Sequence, residues 1–185
     1  MKPVMALIKG NMPIFSGLDI EVLETGQAAE GVSLSEEAGW NQTEADWRFM
    51  IGAGTAFGLR SRDTALSVER RLVASALVLP HGGDFAWISM VLVSANYQRR
   101  GIATELLHRC VTEIEERGLV ACLDATPAGL NVYRPMGFEE VYGLTRLKMT
   151  NAQSTLSTKA PAGVVIEPIK MEFMGMLADY DAQVF

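Results

Sequence analysis

The chain has 185 residues, of which 49% are hydrophobic and 21% charged, with a formal net charge of -6. That length and balance fit a globular protein with one sizeable core. The acidic excess argues against general binding to nucleic acid or to an anionic membrane, since both call for a basic face; an anionic ligand would need a local site.

The first eighteen residues take no assignment. Pro3 to Ile8 is apolar but short, is followed by Lys9, Gly10 and Pro13, and lacks a leader cleavage site. No run approaches the roughly 20 apolar residues of a membrane span, so no membrane partner is expected and the cytoplasm is the default compartment. Ile20 to Leu23 reads as a short strand. Helices follow near Gln27 to Ala38 and from Thr43, a good N-cap, to about Ile51. Strands are expected at Thr55 to Leu59, Leu72 to Leu79 and Phe85 to Val93, with turns at Ser61-Arg62-Asp63 and His81-Gly82-Gly83-Asp84. Phe85 to Val93 is apolar on both parities, as in a central strand covered on both faces.

From Ile102 the period becomes helical. Ile102, Leu106, Cys110 and Ile114, flanked by Leu107 and Val111, share a face opposite Glu105, Arg109, Glu113 and Glu116, and Gly118 supplies a stop. Leu119 to Leu123 reads as a buried strand, Ala128 to Met136 as a short helix, and Glu139 to Tyr142 with Leu144 to Met149 as closing strands. The order is mixed α/β. Asn151 to Gly163, rich in Ser, Thr, Ala and Pro, reads as a linker between a main domain over residues 1–150 and a tail over 164–185. In that tail Val164 to Ile169 resembles a strand and Glu172 to Val184 a helix. Some twenty residues are too few for an independent domain, so the tail either packs on the main body or opens a second domain.

Cys110 and Cys122 lie in apolar stretches at no metal or redox spacing and read as free thiols. His81 falls in a turn and His108 on the polar side of a helix; both read as solvated, and no metal site is expected.

The most informative stretch is Val91-Leu92-Val93-Ser94-Ala95-Asn96-Tyr97-Gln98-Arg99-Arg100-Gly101-Ile102-Ala103-Thr104. A buried strand here runs through a basic, glycine-bearing turn into an amphipathic helix. Such a turn can be ordinary, but it also suits a phosphate: backbone N–H groups point outward, the helix N-terminus adds partial positive charge, and Gly101 lets backbone approach the anion. The stretch resembles the pyrophosphate signature of GNAT N-acetyltransferases, Gln/Arg-x-x-Gly-x-Gly/Ala, through Gln98, Gly101 and Ala103. Downstream, Leu123 to Phe138 resembles the family's Asn-x-x-Ala-x-x-x-Tyr-x-x-x-Gly-Phe element through Tyr133, Gly137 and Phe138, with Thr126 and Gly129 in place of Asn and Ala. The Thr-Pro-Ala-Gly form is similar to a GNAT subgroup that often carries a second, degenerate acetyltransferase domain.

The resemblance implies a mixed, mainly antiparallel central sheet flanked by helices, with a splayed central strand, and acetyl-CoA as cosubstrate. Acetyl-CoA would lie against Met90, Val91, Leu92 and Val93, with its diphosphate at Gln98, Arg99, Arg100, Gly101, Ile102, Ala103 and Thr104, and with Thr126, Gly129 and Tyr133 nearby. The acetyl group would pass to a primary amine of a small molecule. Tyr133 becomes the candidate general acid, and an N–H near Val91 or Leu92 the group that polarises the thioester carbonyl. The Glu that some members place at the start of the central strand is missing from Phe85-Ala86-Trp87. A base would then be water, Glu36, Glu37, Glu44 or Asp84. Trp40, Asn41 and Trp47 lie where the family covers its acceptor, with Asp46 as a further amine ligand, yet the two tryptophans read equally as pocket or core. The implied assembly leaves room for a homodimer.

Two other readings stand beside this one. Gly52-Ala53-Gly54-Thr55-Ala56-Phe57-Gly58 has glycines but follows a helix, whereas a dinucleotide fingerprint follows a strand and opens a helix. A non-catalytic acetyl-CoA-binding sensor or scaffold shares the cofactor motif; Tyr133 favours the enzyme.

Overall fold

The structure, a computed structural model, describes residues 18–61, 70–145 and 160–184. The chain divides into two compact units, Met1–Val141 and Tyr142–Phe185. In the first, β1 (Leu18–Val22) leads through α1 (Ala28–Glu37) and α2 (Glu44–Ala53) to β2 (Thr55–Ser61), β3 (Leu72–His81) and β4 (Phe85–Val93). Then come α3 (Ile102–Glu116), β5 (Val120–Leu123) and a single turn, α4 (Leu130–Tyr133). The sheet order is β1-β2-β3-β4-β5. The first three pairings are antiparallel and the last is parallel, because α3 carries the chain back over the sheet before β5 begins.

Each face of the sheet has its own core. Ile102, Leu106, Leu107, Cys110 and Ile114 of α3 pack with Leu59, Val73, Ala76, Val78, Ala86 and Ile88. On the other face Ala28 and Leu34 of α1 and Trp47 and Ile51 of α2 pack with Leu23, Ala56, Leu72, Leu77, Met90 and Leu92. Burying each of these large aliphatic side chains contributes about 1.5–3 kcal/mol. The sequence expectation of a central strand covered on both faces holds.

The capping expectation also holds. The Thr43 hydroxyl accepts from Asp46 N–H at 3.3 Å, while the Asp46 carboxylate accepts from Thr43 N–H at 2.7 Å and from its hydroxyl at 2.8 Å. Such a cap is worth about 1 kcal/mol. The two cysteines are free thiols, and burial pushes that of Cys110 up to about 12.

Several boundaries differ from expectation. The first strand starts earlier, at Leu18, although Leu23 N–H still donates to Ala56 O at 2.8 Å. The helix expected over Ala128 to Met136 is only the turn of α4, followed by a 3-10 turn at Arg134–Met136, since Pro135 has no N–H with which to continue the ladder. Glu105, expected on the solvated side of α3, is buried, with Arg109 lying outside it at 3.5 Å; it flanks the apolar stripe. His81 is exposed, but His108 is half-buried.

Glu139 to Tyr142 is not a strand, nor are Leu144 and Thr145. Val141, Tyr142 and Leu144 are exposed: the local β-propensity read there does not bring the segment into the sheet, whose last strand among the described residues is β5. Residues 146–149 of the second closing strand, Arg62 and Asp63 of the expected turn, and residues 151–159 of the expected linker lie outside the described residues.

In the second unit Val164 to Ile169 is likewise irregular and exposed, and a 3-10 turn at Met171–Phe173 leads into α5 (Met174–Val184). Among the described residues no helix is long and apolar enough to cross a membrane.

Candidate active site

β4 changes character halfway along. From Phe85 to Ile88 it pairs residue for residue with Val120 to Leu123 of β5. Beyond Ile88 that side of β4 has no strand among the described residues, which is the splay the resemblance implied. On the other side Leu77 of β3 pairs with Ser89, but Ser75 pairs with Leu92. Met90 and Val91 therefore share the place opposite Ala76, which is a β-bulge. Met90 lies at φ 48, a left-handed conformation costing a non-glycine residue about 1–3 kcal/mol. The extra residue reverses the parity of the strand: Ala86 and Ile88 belong to the α3 core, whereas Met90 and Leu92 belong to the α1/α2 core. Apolarity on both parities thus records the bulge as well as the two covers.

The strand feeds the loop through Ser94, whose N–H donates to Val73 O at 2.9 Å. Ala95–Tyr97 makes one 3-10 turn. Glu37, at the end of α1, receives Ser94 Oγ at 2.9 Å and Ala95 N–H at 2.6 Å, with Arg71 at 3.4 Å. The Ala95 and Ser94 bonds, more than Arg71, hold its carboxyl below the ordinary value of 4.5. Next to it lies a small pocket of about 50 Å³ bordered by Leu34, Leu92, Ser94 and Gln98. Gln98 donates its side-chain amide to Val93 O at 3.1 Å. Arg100 donates to Asn96 O at 2.8 Å and lies 5.3 Å over the Tyr97 ring, while exposed Arg99 takes φ 58.

Gly101 is the N-cap of α3, at φ 78, and no side chain caps the helix there. The first N–H groups of an α-helix have no partner within it, so those of Ile102, Ala103 and Thr104 are available to a ligand. The Ile102 side chain is buried in the core, and those of Ala103 and Thr104 are half-buried. An uncapped N-terminus behind a left-handed glycine, with two arginines in the loop, fits a diphosphate. The splayed, bulged strand beside it offers backbone to an extended amide arm.

Tyr133 packs on the α3-face cluster, as do Val91, Val93, Tyr97 and Leu123, so the two sequence motifs meet on one core. Its ring sits edge-on to Phe138 at 6.0 Å and over Gly129, where a Cβ would fall 2.6 Å from Cε2 and 3.2 Å from the hydroxyl. Glycine rather than alanine is what that ring position requires. Burial raises the Tyr133 pKa above its ordinary 10, which keeps the proton on the hydroxyl. Exposed Thr126 accepts Gly129 N–H on Oγ1 at 3.1 Å; the side chain closes its own turn.

On the acceptor side Trp47 is wholly buried, lies against Gly31, and gives its indole N–H to Ser35 Oγ at 2.8 Å. Of the two readings open to it, the structure gives core. Trp40 is half-buried against the α1/α2 cluster and Asn41 is exposed. The Asp46 carboxylate is engaged by Thr43. Among the candidate bases, Glu36 and Asp84 are exposed, Glu44 pairs with Arg48, and Glu37 alone reaches the end of β4. Sequence reading left Glu37 as one carboxylate of four and passed over Ser75, a fully buried hydroxyl on β3 that donates to Met90 O at 2.8 Å. Its one signal was a polar residue amid the apolar run Leu72 to Leu79. Among the described residues no group of three or more His, Cys, Asp or Glu could hold a metal ion.

Residues 30–138 match the Acetyltransferase (GNAT) family. No curated protein matches the chain significantly in sequence. Similar solved structures include a probable acetyltransferase from meticillin-resistant Staphylococcus aureus, with TM-score 0.59 and 16% identity, covering 71% of this chain and 99% of that one. A predicted acetyltransferase with acetyl-CoA from Clostridium acetobutylicum gives 0.56 and 17%, over 71% and 96%. Glucosamine-6-phosphate N-acetyltransferase from Arabidopsis thaliana gives 0.57 and 13%, over 72% and 99%. At these identities the likeness is one of fold.

Proposed function

The chain belongs to the GNAT family of acetyltransferases, which use acetyl-CoA, and from that premise we propose that it moves the acetyl group of acetyl-CoA onto a primary amine of a small acceptor. The observation that carries this reading is the continuous path from splayed β4, through the loop, to the uncapped N-terminus of α3. When bound, acetyl-CoA supplies a thioester whose carbonyl the amine attacks and whose sulfur leaves.

The residues divide the work. N–H groups of Ile102, Ala103 and Thr104, with Arg99, Arg100 and the bare backbone of Gly101, hold the diphosphate. The backbone of Met90 to Val93, unpaired toward β5, takes the amide arm, and an N–H near Val91 or Leu92 polarises the carbonyl. Tyr133, kept protonated by its burial, gives the sulfur its proton. Trp40 and Asn41 contact the acceptor. Glu37, held ionised by its donors, is a poor base, so the amine loses its proton to water. We assign residues 1–150 to this domain, 151–163 to a linker and 164–185 to a tail, and place the protein in the cytoplasm.

The test is ligand-induced stabilisation. At about a hundredfold excess over Kd, acetyl-CoA adds about 2.7 kcal/mol to the native state and raises the thermal midpoint. Gly101→Asp, which puts bulk and negative charge at the diphosphate, should abolish that rise. A folded Gly101→Asp protein with unchanged acetyl-CoA affinity would rule out the cradle. An amine panel then identifies the acceptor.

A further inference from the structure

We propose that Ser75 is a positioning residue, a clamp whose hydroxyl fixes the β4 bulge so that its backbone can read the thioester end of acetyl-CoA. The proposal rests on the acetyl-CoA reading above and adds a residue that the reaction itself does not name.

Packing buries the Met90 side chain in the α1/α2 core, but the backbone of the bulge is held less well. Met90 sits in a left-handed conformation unfavourable to its side chain, two β4 residues share the place opposite Ala76, and β5 no longer pairs alongside. Ladder bonds that normally impose backbone geometry are thus reduced on both sides of this residue. Ser75 Oγ, wholly buried, donates to Met90 O at 2.8 Å from the neighbouring strand. That bond gives the Met90 carbonyl a buried donor, and it ties the carbonyl to β3, a strand buried along seven successive residues. A carbonyl fixed at Met90 fixes the peptide plane it shares with Val91, and with it the direction of the Val91 N–H. A strained geometry persists only where its surroundings over-determine it; here the α1/α2 core packs the Met90 side chain, and the Ser75 hydroxyl fixes its carbonyl.

The role differs from plain packing in what it makes sensitive. A packing residue answers to volume, whereas a clamp answers to the hydroxyl. The experiment measures Kd for acetyl-CoA and for CoA by calorimetry, with thermal midpoints, in the full chain and in Ser75→Ala and Ser75→Thr. The two ligands differ only in the acetyl group. The native chain should prefer acetyl-CoA. Ser75→Ala should weaken acetyl-CoA roughly tenfold, about the worth of one hydrogen bond, and leave CoA within about twofold by the same argument. Ser75→Thr keeps the hydroxyl and should keep the preference, even though its added methyl in a filled site lowers the midpoint. If Ser75→Ala does not fold, Ser75→Cys keeps the volume with a weak donor and should show the same selective loss. Hydrogen exchange of the Val91 amide, read without ligand, should quicken in Ser75→Ala.

An unchanged preference in Ser75→Ala overturns the clamp, as does a loss equally large in Ser75→Thr. So does a native chain that binds CoA and acetyl-CoA alike, an outcome that leaves the acetyl-CoA reading standing. A native chain that binds neither overturns that reading and the clamp with it.

Discussion

The two halves of β4 are built on opposite principles. From Phe85 to Ile88 the strand is paired in register with both neighbours, and His81 and Phe85 stack at 5.5 Å beside the turn that joins β3 to β4. From Ser89 to Val93 it loses β5, gains a bulge and a left-handed methionine, and runs into a loop held by Glu37 of α1 and by the Gln98 side-chain amide. Regular pairing satisfies the backbone internally and leaves nothing for a ligand to bind. The irregular half leaves backbone groups free and therefore needs other groups, Ser75 and Glu37 among them, to hold its shape.

The comparison breaks most visibly at Tyr133, which packs on the cluster beside the irregular half. Tyr133→Phe keeps the ring against Gly129 and Phe138 and removes only the proton donor. Acetyl-CoA affinity should stay nearly unchanged, while single-turnover transfer to an accepted amine should fall about 10²–10⁴-fold, roughly 3–5 kcal/mol of barrier. Steady-state turnover is a poorer measure, since it can report product release. In the native chain the loss of rate from ionising this tyrosine should lie above its ordinary 10, because burial raises its pKa. Transfer at the native rate in Tyr133→Phe would reduce the residue to packing.

A smaller break comes from Glu37, the tie between α1 and the loop. Its folded pKa is depressed, chiefly by the Ala95 N–H and then the Ser94 hydroxyl. The stability it contributes is therefore fully present above the ordinary 4.5 and is lost as pH falls below that value through the lower folded one. Glu37→Gln keeps the shape without the charge. Its thermal midpoint should decline less steeply with acid below pH 4.5 than that of the native chain, with little difference between them in slope near neutrality. Parallel acid profiles for the two proteins would mean that the carboxylate does not hold the loop.

Much of this was legible in the sequence. The helical period from Ile102, the cap at Thr43 and the motif around Gly101 all rest on local rules, and each appears where those rules put it. Pairing was less legible, because a strand depends on an edge elsewhere in the chain as well as on its own composition: Glu139 to Tyr142 has strand composition, yet forms no strand among the described residues. The bulge escaped for a related reason, since an extra residue in β4 shows only against the register of β3. Trp47 could not be sorted between pocket and core from its neighbours in sequence, because Gly31 and Ser35, which seat it, lie on another helix.

The smallest effect gives the sharpest contrast, because Ser75 and Ser89 stand on facing strands beside the same bulge. Ser75 has its partner in Met90 O; Ser89 Oγ is buried with no hydrogen-bond partner among the described residues. Ser89 pairs with Leu77, which belongs to the α1/α2 core, so its side chain lies on that apolar face. A hydroxyl desolvated without compensation costs about 1–3 kcal/mol, and removing one oxygen leaves only a small void, itself mildly unfavourable. Ser89→Ala should therefore leave the chain as stable or stabilise it by about 1 kcal/mol, whereas Ser75→Ala, which takes the Ser75 hydrogen bond from the Met90 carbonyl, should destabilise it by about that much or more. Urea unfolding of the two variants in parallel, read at equal slope, checks the sign. A Ser89→Ala protein less stable than the native chain by more than about 1 kcal/mol would mean that this hydroxyl is engaged after all. The same chemical change would then no longer separate the two sides of the bulge.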